Sequence, residues 1–375
     1  MTEREAYIAL NMMESIGPVG TRALVSLLGA PQSVFEAAPE KLLAAQGIGK
    51  GTVENIIAQR NNARPGEEIR RAAAMGAAII TPADGDYPKS LAQIHDPPLA
   101  LYAVGSLTAS DRRAIGIVGS RRTTIYGRET AESLAYQLAH AGFTVVSGLA
   151  RGIDTAAHRG ALKAGGRTLA VLGGGLDCVY PPENKPLARE IARSGAVLSE
   201  FPLGRKPDKT TFPIRNRIIS GLSMGVVVVE AGLTSGALIT ANQALEQGRC
   251  VFAVPGRIDS PASKGTHLLI KNGARLVENA DDILQEFEFL IPRSSPADSA
   301  GAAPDNFLPP LDDDEKKIVR CLGEGEKNVD ELIRGTGIGA DRFGAVLLAL
   351  EMKRIVRLQP GRMIHLVRKI VPGES

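Results

Sequence analysis

From Arg113 to about Leu290, short apolar runs alternate with segments of helical periodicity. The runs are Ala114–Val118, Phe143–Ser147, Thr168–Leu172, Ala196–Ser199, Gly225–Glu230, Cys250–Val254 and Arg275–Val277. Most are near-continuously apolar rather than apolar at every second position, the pattern of strands buried on both faces. Such strands, separated by helices, predict an α/β domain over 113–290: a doubly wound, Rossmann-like parallel sheet.

The flanks follow other patterns. Residues 1–62 read as helical and carry two similar turns, Ile16-Gly-Pro-Val-Gly20 and Gly47-Ile-Gly-Lys-Gly51. Both resemble the helix-hairpin-helix pattern of SAM-like domains, in which glycines let backbone N–H groups at a helix start approach a phosphate. Such turns also serve as plain packing or protein-contact units, and both uses fit the spacing. Lys50 is followed by Gly51 rather than Ser or Thr, so this is not a Walker A loop. Residues 63–112 form a connector with a short strand pattern at Ala77–Thr81. A Pro-marked, extended lead-in through Asp96-Pro-Pro-Leu-Ala-Leu-Tyr102 then straps it onto the next domain. Residues 291–311 are a Pro/Ser/Ala-rich linker. Over 312–375, a helix with acids in its first turn, two further helices and a hairpin give the order of a winged helix-turn-helix. Its third helix offers Arg342 before the apolar face, with Lys353 and Arg354 at its end. Protein docking therefore fits the module as well as duplex reading does.

Composition narrows the function classes. At 375 residues the chain predicts roughly two or three domains. Its net charge is only +3, so any nucleic-acid site must be a local patch rather than a basic surface. The 41 glycines sit between apolar runs, which points to tight turns after strands. Cys178, Cys250 and Cys321 are far apart and outside any CxxC or Cys/His cluster, so neither disulfides nor zinc are predicted. No signal peptide and no bilayer-length apolar run is evident, and the expected localisation is cytoplasmic.

The candidate chemistry sits at the strand ends, where doubly wound folds bind ligands. The first run ends in Gly119-Ser-Arg-Arg122 and the second in Ser147-Gly-Leu-Ala-Arg-Gly-Ile-Asp154. Later ends read Gly173-Gly-Gly, Glu230-Ala-Gly232 followed by Ser235-Gly236, and Pro255-Gly-Arg257. Glycines and small hydroxyls at so many ends make a rim of bare backbone N–H groups suited to anions. A dinucleotide site is disfavoured. The first turn, Gly116-Ile-Val-Gly119, is not GxGxxG, and no acid follows Ser147-Gly148 to hold a ribose. Before the fifth run, Lys209, Phe212, Arg215, Asn216 and Arg217 fall within nine residues. Cations beside an aromatic suit a phosphodiester with exposed bases. A core Phe212 with ion-paired arginines fits that segment equally well. Asp154, His158, Asp177 and Glu230, with Ser120, Ser147 and Ser235, are the acid, base and nucleophile candidates. No GxSxG elbow or metal-ligand pair links them, and a capping Asp154 beside a hydrogen-bonded His158 accounts for that pair. No catalytic residue, metal or cofactor is predicted.

Taken together, Gly119-Ser-Arg with Tyr126-Gly127, Ser147 through His158, Tyr180-Pro181, Ser199-Glu200, Phe212 through Ile219, Glu230-Ala, Ser235-Gly with Thr240-Ala241, and Val254-Pro-Gly256 closely resemble the DNA-processing protein A family, also called Smf. The resemblance runs from about Tyr87 to Ala274. It implies a bacterial cytoplasmic protein that binds and protects incoming single-stranded DNA during natural transformation and loads RecA on it, with no cofactor and no catalysis. It also implies a homodimer formed through the Rossmann-like domain, and no membrane partner. The family's phosphate and base contacts carry over onto Arg121, Lys209 and Phe212, while Arg215, Asn216 and Arg217 match the adjoining motif. The candidate DNA-binding set is Gly119, Ser120, Arg121, Arg122, Ser147, Gly148, Lys209, Phe212, Arg215, Asn216, Arg217, Ser235 and Gly236. The competing expectations are a nucleotide-processing enzyme of the lysine-decarboxylase-like Rossmann group, whose PGGxGTxxE loop this chain lacks, and a scaffold that contacts recombination proteins alone.

Overall fold

The structure is a computed structural model that describes residues 1–287, 312–323, 327–352, 355–359 and 363–366. The expected linker 291–311 lies outside the described residues, as do Lys353 and Arg354. The chain divides into two units, Met1–Ile291 and Pro292–Ser375.

The first unit is built on a sheet whose strands are β1 Ala77–Ile80, β2 Leu101–Gly105, β3 Ala114–Val118, β4 Thr144–Ser147, β5 Thr168–Val171, β6 Ala196–Ser199, β7 Gly225–Val228, β8 Cys250–Ala253 and β9 Arg275–Leu276. Their order is β1-β2-β6-β5-β4-β3-β7-β8-β9. All pairings from β6 through β9 are parallel, as the apolar runs predicted. The connector adds something the sequence reading did not. Its strands β1 and β2 extend the sheet by antiparallel pairing, β2 lying on β6. The lead-in through Pro97 and Pro98 delivers β2 to that edge without a crossover helix, so the rule for parallel strands does not apply to it. Tyr87 locks the lead-in by donating its hydroxyl to the Pro98 carbonyl at 2.8 Å.

Each strand alternates its side chains between two helix layers. Ile115, Ile117 and Val145 meet Leu134, Leu138 and Ala157 on one face, while Val118, Val146 and Val228 meet Ile219, Leu222 and Ala241 on the other. These side chains are buried, and each large one stabilises the fold by about 1.5–3 kcal/mol.

Residues 1–62 are helical, and Gly17 and Gly49 are the N-caps of helices Pro18–Leu28 and Lys50–Arg60. The two hairpins meet where Ile48 packs beside Gly20. This region is fastened to the sheet. Ile8 belongs to the same buried cluster as Ile79 and Val197, and Asn11 Nδ2 donates to the Glu200 carbonyl at 2.8 Å.

The second unit contains helices Asp313–Leu322, Val329–Thr336 and Ala340–Met352 with strands β10 Lys327–Asn328, β11 Val356–Gln359 and β12 Met363–Leu366. The strand order β10-β12-β11 is that of a winged helix. Asp312 caps the first helix through a capping box with Glu315, and Arg342 pairs with Asp314 at 3.1 Å.

Candidate nucleic-acid interface

The strand order reverses at β3, which has β4 on one side and β7 on the other. In an open parallel sheet the loops at such a point diverge and leave a crevice beyond the strand ends. Here that crevice is a groove of about 580 Å³, walled by Gly119–Arg122 after β3, Gly232 and Thr234–Ala237 after β7, and Lys209, Phe212 and Arg215 at the start of the helix Thr211–Leu222.

The arginine loop after β3 is held from below. Glu230, 3% exposed at the end of β7, accepts from Thr123 Oγ1 at 2.6 Å, Thr124 Oγ1 at 2.6 Å and the Thr124 backbone N–H at 2.9 Å. Its carbonyl accepts from the Ser120 backbone N–H at 2.7 Å. The close approach needs Gly119, where a Cβ would lie 2.6 Å from Ile153 and 2.9 Å from the Glu230 carbonyl oxygen. The Ser120 hydroxyl closes the turn by accepting from the Arg122 N–H at 3.1 Å. Arg121 and Arg122 are left exposed on a rigid loop.

The opposite wall is organised by Asp208. Its Oδ1 accepts from the backbone N–H groups of Thr210 and Thr211 at 2.8 and 3.1 Å, satisfying donors at the helix start. Pro213 sits in the first turn, where no donor is needed. This leaves Lys209 exposed at the tip and sets the Phe212 ring against Gly173, where a Cβ would lie 2.7 Å from the ring. Phe212 is half-buried, neither core nor free. The Arg121 guanidinium lies over its ring, 4.5 Å from the centroid, a cation–π arrangement.

Arg215 forms part of the floor. It is 3% exposed and donates Nη1 to the Gly148 carbonyl at 2.6 Å and to the Val171 carbonyl. Burial, helped by Arg121 and opposed by Asp154, lowers its pKa to about 10, so it stays charged at neutral pH. Asp154 accepts from the N–H groups of Gly148 and Ala150 at 3.1 and 3.3 Å. Burial pushes its pKa up, against Arg215. The Arg215 Nε has no hydrogen-bond partner among the described residues. A buried cation under a groove of exposed cations focuses positive potential into it. Ser235, at the N-cap of helix Gly236–Glu246, accepts from the Ala237 N–H at 3.3 Å. That helix presents its positive end to the same space.

Not every expected residue reaches the groove. Gly119, Ser120, Arg121, Arg122, Lys209, Phe212, Arg215, Asn216, Ser235 and Gly236 line it. Ser147 is fully buried, its hydroxyl donated to the Ile117 carbonyl at 2.6 Å. Gly148 lies beneath, against the Arg215 guanidinium. Arg217 points away from the groove. It is 4% exposed and paired with Glu200 at 2.5 Å and Asp96 at 2.9 Å. Its charge is spent on those carboxylates, which corrects its expected place at the site. His158 is likewise core. Its Nδ1 lies 2.7 Å from Thr168 Oγ1, and burial, with Arg215, lowers its pKa to about 3. Among the described residues no cluster of His, Cys, Asp and Glu could hold a metal. Among the described residues no helix is long and apolar enough to cross a membrane. The Glu230–threonine clamp was not foreseen, because it joins residues more than a hundred positions apart.

Comparisons with known proteins fall on the same regions. The family model for DNA recombination-mediator protein A matches residues 78–288. A DprA winged helix domain matches 302–362 and a SAM-like helix-hairpin-helix tandem matches 7–62. Protein Smf of Synechocystis sp. is 35% identical over 393 residues, covering 96% of this chain and 98% of its own length. DNA processing protein DprA of Bacillus subtilis is 48% identical over 212 residues, covering 56% of this chain and 71% of its own. The solved structure of DNA processing protein A from Streptococcus pneumoniae superposes with a TM-score of 0.66 at 35% identity, covering 77% of this chain and 99% of that one. A structure of the Helicobacter pylori protein, concerned with its single-stranded DNA binding mode, matches with a TM-score of 0.51 at 32% identity, covering 56% and 95%.

Proposed function

The chain belongs to the DNA-processing protein A family, that of DNA recombination-mediator protein A, and from that membership we propose that it binds single-stranded DNA in the groove beyond β3 and β7. The observation that carries this reading is the placement of exposed Arg121 and Lys209 at a half-buried aromatic ring. Cations neutralise phosphates at either side, and Phe212 offers a face to a base once Arg121 swings off it or stacks with it. A duplex hides the base faces inside its stack, whereas a single strand splays them outward.

The role we assign is protection of incoming single-stranded DNA during natural transformation and delivery of that DNA to RecA, by a homodimer joined through the sheet domain. No chemical step belongs to this role. Of the acid and base candidates, Asp154, Asp177 and Glu230 are engaged in holding loops, and His158 is hydrogen-bonded in the core. Competition of a labelled single strand by unlabelled single strand and duplex tests the preference. Single strand is expected to compete far better, and equal competition would remove the proposal.

A further inference from the structure

Beyond Phe212 the groove continues into a crevice lined by Arg151 and Tyr180, which neither the family motifs nor the groove geometry has so far assigned a role. Tyr180 follows β5, two strands from the switch point along the carboxyl edge. Its ring contacts that of Phe212, with centroids 6.1 Å apart and planes tilted by 49°. The Arg151 guanidinium lies 5.8 Å from the Tyr180 centroid. Arg121, Phe212, Tyr180 and Arg151 thus form one continuous ladder in which cations flank two rings.

Two features separate this from an ordinary surface tyrosine. The chain has only nine phenylalanines, six tyrosines and no tryptophan, so two rings in contact at the end of a cationic groove are not a by-product of composition. The ladder is also built in advance. Asn184, 5% exposed, donates Nδ2 to the Leu149 carbonyl and to Thr155 Oγ1, both at 2.9 Å, which pins the turn just after Tyr180. Glu183 on that turn holds Arg151 at 2.5 Å. Tyr180, 42% exposed, is therefore carried on a pinned turn without being buried.

We propose that Tyr180, backed by Arg151, is a second base-stacking subsite for single-stranded DNA, one step beyond Phe212 along the sheet edge. The inference rests on the groove being the single-strand site and sets the direction of the strand, from the β7 side across Phe212 toward β5. Stacking on aromatic faces is tolerant of sequence, so the subsite takes any nucleobase.

Because the chain has no tryptophan, Tyr180→Trp introduces a single indole as a reporter. The full-length variant is titrated with a dT oligonucleotide of about 12 residues and with an abasic strand carrying the same number of phosphates. Indole quenching by dT and none by the abasic strand is the expected result. In parallel, Tyr180→Ala is expected to weaken dT binding by about 5- to 150-fold, with abasic-strand affinity and melting temperature unchanged. The proposal is overturned if dT and the abasic strand quench alike, if neither quenches, or if Tyr180→Ala binds dT as the parent does. If those results come with normal losses for Phe212→Ala and Lys209→Ala, the second subsite alone is wrong. If Phe212→Ala and Lys209→Ala also bind normally, the groove reading fails with it.

Discussion

Arg121, Arg215 and Arg217 carry the same charge, and burial gives each a different task. Arg121 is exposed over Phe212, Arg215 is a charged floor, and Arg217 is closed in by Asp96 and Glu200. Removing Arg217 leaves Glu200 buried without its partner, which costs about 3–5 kcal/mol. Arg217→Ala is therefore expected to lower the melting temperature sharply, while Lys209→Ala, at an exposed tip, leaves it unchanged. Equal melting temperatures would contradict the assignment. The segment was legible in the sequence as cations beside an aromatic, but the split among them was not. Residues 215 and 217 lie roughly 200° apart around a helix, and the carboxylates that claim Arg217 come from distant segments. His158 gives a pH signature. Its folded pKa of about 3 lies below the unfolded value of about 6.5, so only the unfolded chain gains the proton. Its contribution is complete above pH 6.5 and is lost as pH falls toward 3, reaching about 2 kcal/mol at pH 5. Burial raises Asp154 and Glu200, which act in the opposite direction. The test is therefore the difference between the parent and His158→Asn in denaturant unfolding at pH 7.5 and pH 5. The parent should lose more, and equal losses would contradict this account of His158.

At the scale of elements, the loop after β3 depends on a side chain at the end of β7. Glu230 ties Thr123 and Thr124 down without lining the groove. Glu230→Ala has an informative sign. Deleting a negative charge near a cationic groove favours DNA, whereas freeing the arginine loop disfavours it. Loop positioning is expected to win, giving weaker binding together with about 1.5–3 kcal/mol of lost stability. Tighter binding in a filter or anisotropy assay would contradict it. The strands of the parallel sheet were legible because two-sided burial writes a continuous apolar run. β2 read only as an extended lead-in, since antiparallel pairing at an edge leaves no crossover helix to announce it. The clamp was illegible for a similar reason: a glutamate and two threonines acquire meaning only when β3 and β7 lie side by side.

For the whole molecule, a net charge of +3 hid a local concentration of cations at one sheet edge. The helical region 1–62 shares core with the sheet through Ile8, so its deletion would perturb the fold itself. The winged-helix unit divides off separately, and removing 312–375 is expected to leave the proposed homodimer intact by light scattering, a monomer contradicting an interface on the sheet domain. The central claim is that single-stranded DNA runs through the groove over Arg121, Lys209 and Phe212. Its most direct test is the affinity of the parent, Arg121→Ala, Lys209→Ala and Phe212→Ala for one single strand across a range of salt concentrations. Each cation variant should bind more weakly and lower the salt slope by about 0.7. Phe212→Ala should cost about 1–3 kcal/mol of affinity at nearly unchanged slope and melting temperature. Unchanged slopes for both cation variants, with Phe212→Ala losing melting temperature rather than affinity, would contradict the account.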